Sequence, residues 1–259
     1  MAESTSFYNK ITSFFEEIGE MTRFAMRFFK EAVSPPFEFR ELLKQCFFMG
    51  NKSFFLVAVT GFILGVVFTL QTRPTLEEFG AAAWMPSMIS ISIVREIGPV
   101  IIALICAGRI GSSIGAELGS MKVTEQIDAM EVSGTNPFKF LVVTRIAATT
   151  LMIPLLVIFG DFIALIGSAL IENIKDDVSY QLYFTQVFEA LKFSDLIPAT
   201  IKTFFFGFAI GLVGCFKGYN SKKGTAGVGK ASNSAVVYTS MLLFVIDFVA
   251  VFVSDLFYN

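Results

Sequence analysis

Long uncharged apolar runs are the feature that most constrains the fold of this 259-residue chain. Residues 53–72 hold no charged side chain between Lys52 and Arg73. A helix needs about 20 apolar residues to cross the hydrocarbon core of a bilayer, whereas a soluble domain breaks its apolar residues into shorter periodic stretches. The sequence therefore predicts an all-α polytopic membrane protein with five spans, near residues 53–72, 84–118, 140–171, 196–216 and 231–254.

The run at residues 84–118 is longer than a simple span and carries Arg95, Glu96 and Arg109. It could form one long, kinked helix or two crossings. Basic loops stay in the cytoplasm, and residues 217–230 hold four lysines and no acidic residue. The N-terminal region is rich in lysine and arginine as well. Placing both regions inside requires an even number of crossings between them, so we predict a single crossing at residues 84–118, with the N-terminus inside and the C-terminus outside.

Residues 1–50 are predicted to be interfacial amphipathic helices rather than a cleaved signal peptide, which would have a continuous apolar core. Apolar residues recur at helical spacing from Phe7 to Phe29 with charged residues between them, a pattern typical of a helix lying on a membrane. Ser34-Pro35-Pro36 ends this helix, and residues 37–49 lead to the first span. A helix packed on a soluble partner domain is the alternative, although the phenylalanine-rich face favours lipid.

The composition excludes several kinds of site. The chain has no histidine, so histidine-based metal sites, proton relays and catalytic triads are absent. Cys46, Cys106 and Cys215 lie far apart in the sequence and are predicted to be packing residues rather than metal ligands. A net charge of −2 gives no reason to expect nucleic acid as a partner.

One glycine-rich loop resembles a nucleotide site only superficially. Residues 224–230 fit the first seven positions of a P-loop, but Ala231 stands where a serine or threonine must hold magnesium. A membrane span precedes the loop, where a P-loop requires a β-strand. The chain is therefore expected to have no nucleotide site of its own.

A stripe of glycines spaced by three or four residues runs along the second predicted span. Stripes of small residues allow helix backbones to approach closely inside a membrane, and the pairs Gly61/Gly65 and Gly207/Gly211 repeat the spacing. The stripe predicts a tight helix interface, which could be movable or static. Its members are Gly108, Gly111, Gly115 and Gly119.

The sharpest intramembrane feature is the pair Arg95-Glu96 just before Gly98-Pro99. Charges at bilayer depth are costly and usually face a cavity, a partner or a lipid headgroup. Pro99 removes a backbone donor and can kink the helix, which could open such a cavity. The alternative is a structural ion pair near the outer interface.

Other charged residues within the predicted spans also require a partner or a polar cavity. Asp161 and Asp247 lie mid-span, and an intramembrane carboxylate is expected to have a partner. They could pair with Arg145, with Lys202 or with each other. Arg109 is a further intramembrane charge, in the second span.

A short polar helix is predicted at residues 124–134, on the cytoplasmic side. Thr124 is a suitable N-cap, and the acidic residues that follow it favour the positive end of the helix dipole. Gly134 suits the C-terminal stop. Ile127 and Met130 form an apolar edge beside acidic positions, which predicts a docking surface rather than a catalytic one. A solvated loop helix is the alternative.

The stretch REIGPVIIALICAGRIGSSIGAELGSMKVTEQIDAMEVSGTNP, residues 95–137, closely resembles the signature region of MlaE/YrbE permeases. These are the membrane subunits of ABC transporters that move lipids between bacterial membranes. The resemblance extends to Pro35-Pro36-Phe37, to Leu70-Gln71 and to the loop at residues 224–231, and it covers most of the chain after about Ser34.

The resemblance implies a homodimer in the bacterial inner membrane, with phospholipid in a cavity between the copies, beneath a periplasmic MCE-domain protein. It implies no cofactor on this chain, because ATP and magnesium would bind the cytoplasmic ATPase subunits. Arg95 and Glu96, with Pro99, would line or gate the lipid cavity. The coupling helix that contacts the ATPase would consist of Glu125, Gln126, Ile127, Asp128 and Ala129, with Glu131 after them.

Two functions of other classes compete with this one. A self-sufficient secondary transporter or channel could use Glu96, Asp161 and Asp247 as an ion path, although the two halves show no inverted repeat. An intramembrane enzyme would need a nucleophile and a base, and the sequence offers no recognisable set. We therefore predict a non-catalytic permease subunit.

Overall fold

A computed structural model describes the backbone of residues 2–222 and 224–258, and the side chains of residue 12 and of residues 15–222 and 224–256. Every regular element in these residues is helical. Five helices are long and apolar enough to cross a membrane, which confirms the predicted all-α polytopic fold. They are α2 (Phe39–Glu78), α3 (Ala82–Val123), α5 (Phe138–Asp176), α7 (Phe193–Tyr219) and α8 (Thr225–Tyr258).

The described residues form three further helices outside these five. The N-terminal helix α1 covers Ala2–Val33, and α4 (Gln126–Val132) connects α3 to α5. Helix α6 (Tyr180–Ala190) lies between α5 and α7, at the opposite end of the bundle from α4. Tyr183 is fully buried where α6 packs on the bundle, and this burial raises the pKa of its phenol to about 12.

The long run in the second predicted span forms one continuous helix, α3, and not two crossings. Two π-helical turns interrupt its α-helical geometry, at Ile93–Ile97 and at Ala107–Gly111. The first immediately precedes Gly98-Pro99. A proline ring clashes with the carbonyl four residues earlier in an α-helix, here that of Arg95, and the wider π turn removes this clash. Pro99 thus produces a bulge within an unbroken helix.

Helices α2 and α5 meet backbone to backbone. A Cβ added at Gly61 would lie 2.6 Å from the carbonyl oxygen of Gly160, and one at Gly65 would overlap the carbonyl of Ala164. Gly207 of α7 meets the backbone of Thr149 in the same way. Small residues allow helix backbones to approach this closely. Such contacts hold helices together inside a membrane, where lipid provides no hydrophobic driving force for helix association.

The predicted glycine stripe of α3 forms a looser contact. A Cβ at Gly115 would lie 3.3 Å from the Ala231 carbonyl oxygen of α8, and one at Gly111 or Gly119 would have ordinary van der Waals contacts. A Cβ at Gly108 would meet nothing within 4 Å. The stripe therefore packs α3 against its neighbours at three of its four members, and Gly108 is not part of that contact.

Helix α1 packs on the bundle through some of its phenylalanines and exposes others. Phe24 and Phe28 are buried, and the Phe24 ring contacts Phe138 edge to face, with centroids 4.9 Å apart. Phe15 and Phe29 are exposed. Apolar side chains thus occupy both the packed and the exposed side of α1. The side chains of Phe7, Ile11 and Phe14 lie outside the described residues, and the interfacial position of this helix stays a prediction.

Candidate functional site

A cluster of charges joins three spans inside the bundle. The Lys202 ammonium of α7 lies 2.5 Å from Glu96 Oε2 in the first π turn of α3, and 3.0 Å from Asp247 Oδ1 of α8. Only 4% of the Lys202 side chain is exposed. A buried ammonium is tolerated only when it is paired, and here two carboxylates accept from it.

Arg95 continues the cluster toward the end of the bundle where α6 lies. Its guanidinium is 3.8 Å from Glu96 and 3.6 Å from Asp195 at the start of α7. Nearly half of the Arg95 side chain is exposed. Because both of these Arg95 distances are long, the guanidinium keeps N–H donors available for another acceptor. Glu96 makes its short bond to Lys202 instead.

Pro99 and Asp161 lie beside this cluster rather than in it. Both residues are buried, and Pro99 is not among the residues that line the cavity next to Glu96. Asp161 lies against Gly98, and its Oδ1 has no hydrogen-bond partner among the described residues. Of the two aspartates whose partners the sequence left open, Asp247 therefore pairs with Lys202 and Asp161 pairs with neither Lys202 nor Arg145.

Two adjoining cavities open at the cluster. A polar one of 190 Å³ is lined by Arg95, Glu96, Asp195 and Lys202. An apolar one of 760 Å³ lies between α7 and α8 and is lined by side chains such as Ile201, Phe205, Val245 and Val249. The two cavities share Pro198, Lys202, Ala250 and Ser254. A charged cavity that adjoins a larger apolar cavity could accommodate the two ends of an amphiphilic molecule.

The remaining intramembrane arginines lie toward the α4 end of the bundle. Arg109 donates to the backbone carbonyl of Lys52 in α2. Arg145 donates to Glu117 Oε1 at 2.8 Å and is not part of the Lys202 cluster. Neither Glu117 nor Asp195 was predicted as a partner, because each pairs with an arginine on another helix and the helix packing brings them together.

Helix α4 begins differently from the prediction. Thr124 caps the C-terminus of α3, and its hydroxyl bonds to the Ser120 carbonyl at 2.9 Å. The N-cap of α4 is Glu125, in the left-handed conformation with φ 58°. The prediction of Thr124 as N-cap was therefore wrong, because only Thr124 and Glu125 separate the two helices and Thr124 serves as the C-cap of α3.

The end of α4 agrees with the prediction. Gly134 has φ +80°, the left-handed conformation that glycine adopts at no steric cost. Its N–H bonds to Glu131, and the N–H of Thr135 bonds to Met130, each at 3.0 Å. This is the Schellman pattern of a helix C-terminus.

The orientation of α4 corrects one predicted contact. Ile127 is 1% exposed and packs in the core, so it fixes α4 to the bundle and cannot meet a partner as predicted. The side of α4 that faces away from the bundle is acidic. Asp128 on this side accepts a hydrogen bond of 2.8 Å from Lys122. Val132, the last residue of α4, is 91% exposed. The exposed residues of α4 and its N-cap are Glu125, Gln126, Asp128, Ala129, Glu131 and Val132.

Comparison with known proteins agrees with this architecture. The family model described as "Permease MlaE" matches residues 42–253. The chain belongs to the MlaE permease family. It is 36% identical to a probable ABC transporter permease protein of Rickettsia bellii, over 94% of this chain and 93% of that one.

Two further relatives extend the family beyond Rickettsia. A probable ABC transporter permease protein of Synechocystis is 32% identical, over 81% of this chain and 80% of that one. The chloroplastic protein TRIGALACTOSYLDIACYLGLYCEROL 1 of Arabidopsis thaliana is also 32% identical, over 81% of this chain and 60% of that one. As an MlaE permease, the chain is a multi-pass transporter permease subunit.

The ion-path alternative loses support from the same geometry. Two of its three carboxylates, Glu96 and Asp247, are bonded to Lys202. The third, Asp161, is buried away from the cavity that Glu96 lines. Glu96 and Asp247 are therefore engaged by a cation of the chain itself rather than free to bind an ion.

Proposed function

We propose that this MlaE permease transports phospholipid between the inner and outer membranes of a bacterium, driven by ATP hydrolysis on a separate chain. The observation that carries the proposal is the junction of the polar and apolar cavities at Lys202. The half-exposed Arg95 guanidinium offers donors to a phosphate, and the cavity between α7 and α8 offers an apolar surface to acyl chains. The volume of 760 Å³ lies within the usual range of ligand pockets.

The relatives support the lipid assignment. The name of the Arabidopsis protein refers to a galactosylated diacylglycerol, which is a glycerolipid. We infer that the same class of molecule, with a phosphate headgroup, is the cargo here. The cavity between α7 and α8 is open on one side, and a second copy of the chain in a homodimer would close it. A periplasmic MCE-domain protein would receive or deliver the lipid.

The exposed acidic side of α4 is the proposed contact with the cytoplasmic ATPase, which would hold ATP and magnesium. Ile127 seats α4 on the core, so that a displacement of α4 would be transmitted to α3. With α4 in the cytoplasm, the N-terminus is cytoplasmic as well, and Arg95 lies toward the periplasmic side.

The test is lipid transfer by the reconstituted complex. The permease with its ATPase and MCE partners is placed in liposomes that contain a fluorescent phospholipid, and ATP-dependent transfer to acceptor membranes is measured. We expect Lys202→Met to abolish transfer and Lys175→Met, at the end of α5, to leave it unchanged. Transfer that persists in Lys202→Met, in protein that still assembles with its partners, would refute the cavity assignment.

A further inference from the structure

A further cavity, separate from the two at the Lys202 cluster, lies at the other end of the bundle, near α4. It has a volume of 90 Å³ and lies between α2 and α3, where Lys52, Ser53, Arg109 and Ser113 contribute to its lining. A neighbouring cavity of 270 Å³ shares Gln45, Phe48 and Glu117 with it. Neither cavity touches the Lys202 cluster, so the proposed transport site does not explain them.

The cationic groups at this cavity lack acidic partners. Neither Lys52 nor Arg109 forms an ion pair in the described part of the chain. The Lys52 ammonium lies 3.6 Å from the centroid of the Phe48 ring, and Arg109 donates one bond to a backbone carbonyl. The nearest carboxylate in the lining, Glu117, accepts from Arg145. The cavity thus has two cations available for an anion.

A buried polar atom also faces this cavity without a partner. Ser53 is 1% exposed, and its Oγ has no hydrogen-bond partner among the described residues. In the neighbouring cavity the same holds for Nε of Arg145, a residue 2% exposed. A buried donor without a partner is costly, and a bound oxyanion would accept from both the hydroxyl and the cations.

The position along α2 indicates where such an anion comes from. Lys52 directly precedes the uncharged run of residues 53–72, so the cavity lies at the level where hydrocarbon gives way to headgroups. The α2 surface beside it is apolar and exposed, as Phe47 and Phe55 show. An anion at this level with acyl chains beside it is the phosphate of a membrane lipid.

We propose that the cavity between α2 and α3 binds the phosphate of a glycerophospholipid from the cytoplasmic leaflet. The phosphate accepts from Lys52, Arg109 and Ser53, and the acyl chains run along the exposed side of α2. The leaflet assignment rests on the orientation given under the proposed function. The binding itself does not depend on lipid being the cargo.

The test uses the full chain in nanodiscs that contain phosphatidylglycerol and diacylglycerol in equal amounts. Ser113, which is exposed at the cavity, is replaced by p-benzoylphenylalanine, and the photoadducts are identified by mass spectrometry. We expect phosphatidylglycerol to predominate. Lys52→Gln should lower the ratio of phospholipid to diacylglycerol adduct about tenfold, the loss that one charge-assisted hydrogen bond represents in a binding constant. Lys175→Gln is the control with the same charge change.

Three results would overturn the proposal: equal labelling of the two lipids, a ratio unchanged in Lys52→Gln, or an adduct to a second copy of the chain. Arg109→Gln serves as a second variant, with thermal unfolding to confirm that it folds. Lipid transfer by the complex separates the two proposals. Transfer without the Ser113 adduct refutes only the second site, and the adduct without transfer refutes only the proposed function.

Discussion

The Lys202 ammonium of α7 bonds to Glu96 Oε2 of α3 at 2.5 Å, across 106 residues of sequence. The acceptor lies in the π turn that precedes Gly98-Pro99. The bulge that accommodates Pro99 therefore also carries the carboxylate that neutralises Lys202. This bond, with Asp247 on the other side of the ammonium, ties α3, α7 and α8 together at the level of the cavities.

The first prediction concerns the stability of this cluster. Lys202→Met leaves Glu96 and Asp247 without their cation, and loss of one partner of a largely buried pair should lower the free energy of unfolding by about 2 kcal/mol. The triple variant Lys202→Met/Glu96→Gln/Asp247→Asn should recover most of the loss, because no unpaired charge remains. Thermal unfolding in detergent measures both. A single variant as stable as the parent would show that the ion pairs contribute nothing.

The second prediction concerns the contact between α2 and α5. Gly65→Ala would place a methyl group on the carbonyl of Ala164, and the backbone cannot rotate away, so overpacking should destabilise the fold by about 2 kcal/mol or more. Gly108→Ala is the matched control, because its Cβ would meet nothing within 4 Å and alanine favours the helix. Thermal unfolding should distinguish them, and equal midpoints would contradict the packing argument.

The third prediction concerns the exposed acidic side of α4. Glu125→Lys combined with Asp128→Lys should detach the ATPase, because both side chains are exposed and the change reverses their charge. Co-purification of the ATPase from membranes measures the effect. Glu78 is exposed at the end of α2 that lies farthest from α4, so the control variant Glu78→Lys should leave the complex intact. Unchanged co-purification of the double variant would place the ATPase contact elsewhere.

The fourth prediction distinguishes the packing of α4 on the bundle from the contacts of its exposed residues. Ile127→Ala empties a fully buried site, which should lower the free energy of unfolding by about 2 to 4 kcal/mol and weaken ATPase binding, although every exposed residue is retained. Val132→Ala, at a position 91% exposed, should not alter stability. Thermal unfolding of the two variants provides the comparison. Equal stability would mean that Ile127 does not hold α4 on the bundle.

The sequence predicted the parts of the fold that follow from local pattern. Apolar run length indicated the five spans, and the basic loop at residues 217–230 indicated that residues 84–118 cross once. The stop at Gly134 follows from the conformational freedom of glycine. Each of these depends on residues close together in the chain.

The sequence failed where the answer depends on distant contacts. The partner of Arg145 is Glu117, and that of Arg95 includes Asp195, 100 residues away along the chain. Both faces of a seven-residue helix carry apolar side chains, so Ile127 and Val132 could not be sorted into buried and exposed from their spacing. Thr124 is as suitable for the end of α3 as for the start of α4, and only the turn geometry decides between them.

The backbone contacts between α2 and α5, and between α5 and α7, have a mechanical consequence. Where a carbonyl of one helix rests on a glycine of the next, no side chain lies between them to change rotamer, so these three helices form a stationary frame. The contact of α8 with α3 at Gly115 is wider, and Asp247 of α8 bonds to Lys202 of α7 at 3.0 Å. We therefore expect α8 to shift more easily than these three helices, restrained by its Lys202–Asp247 and Ser112–Ser232 bonds.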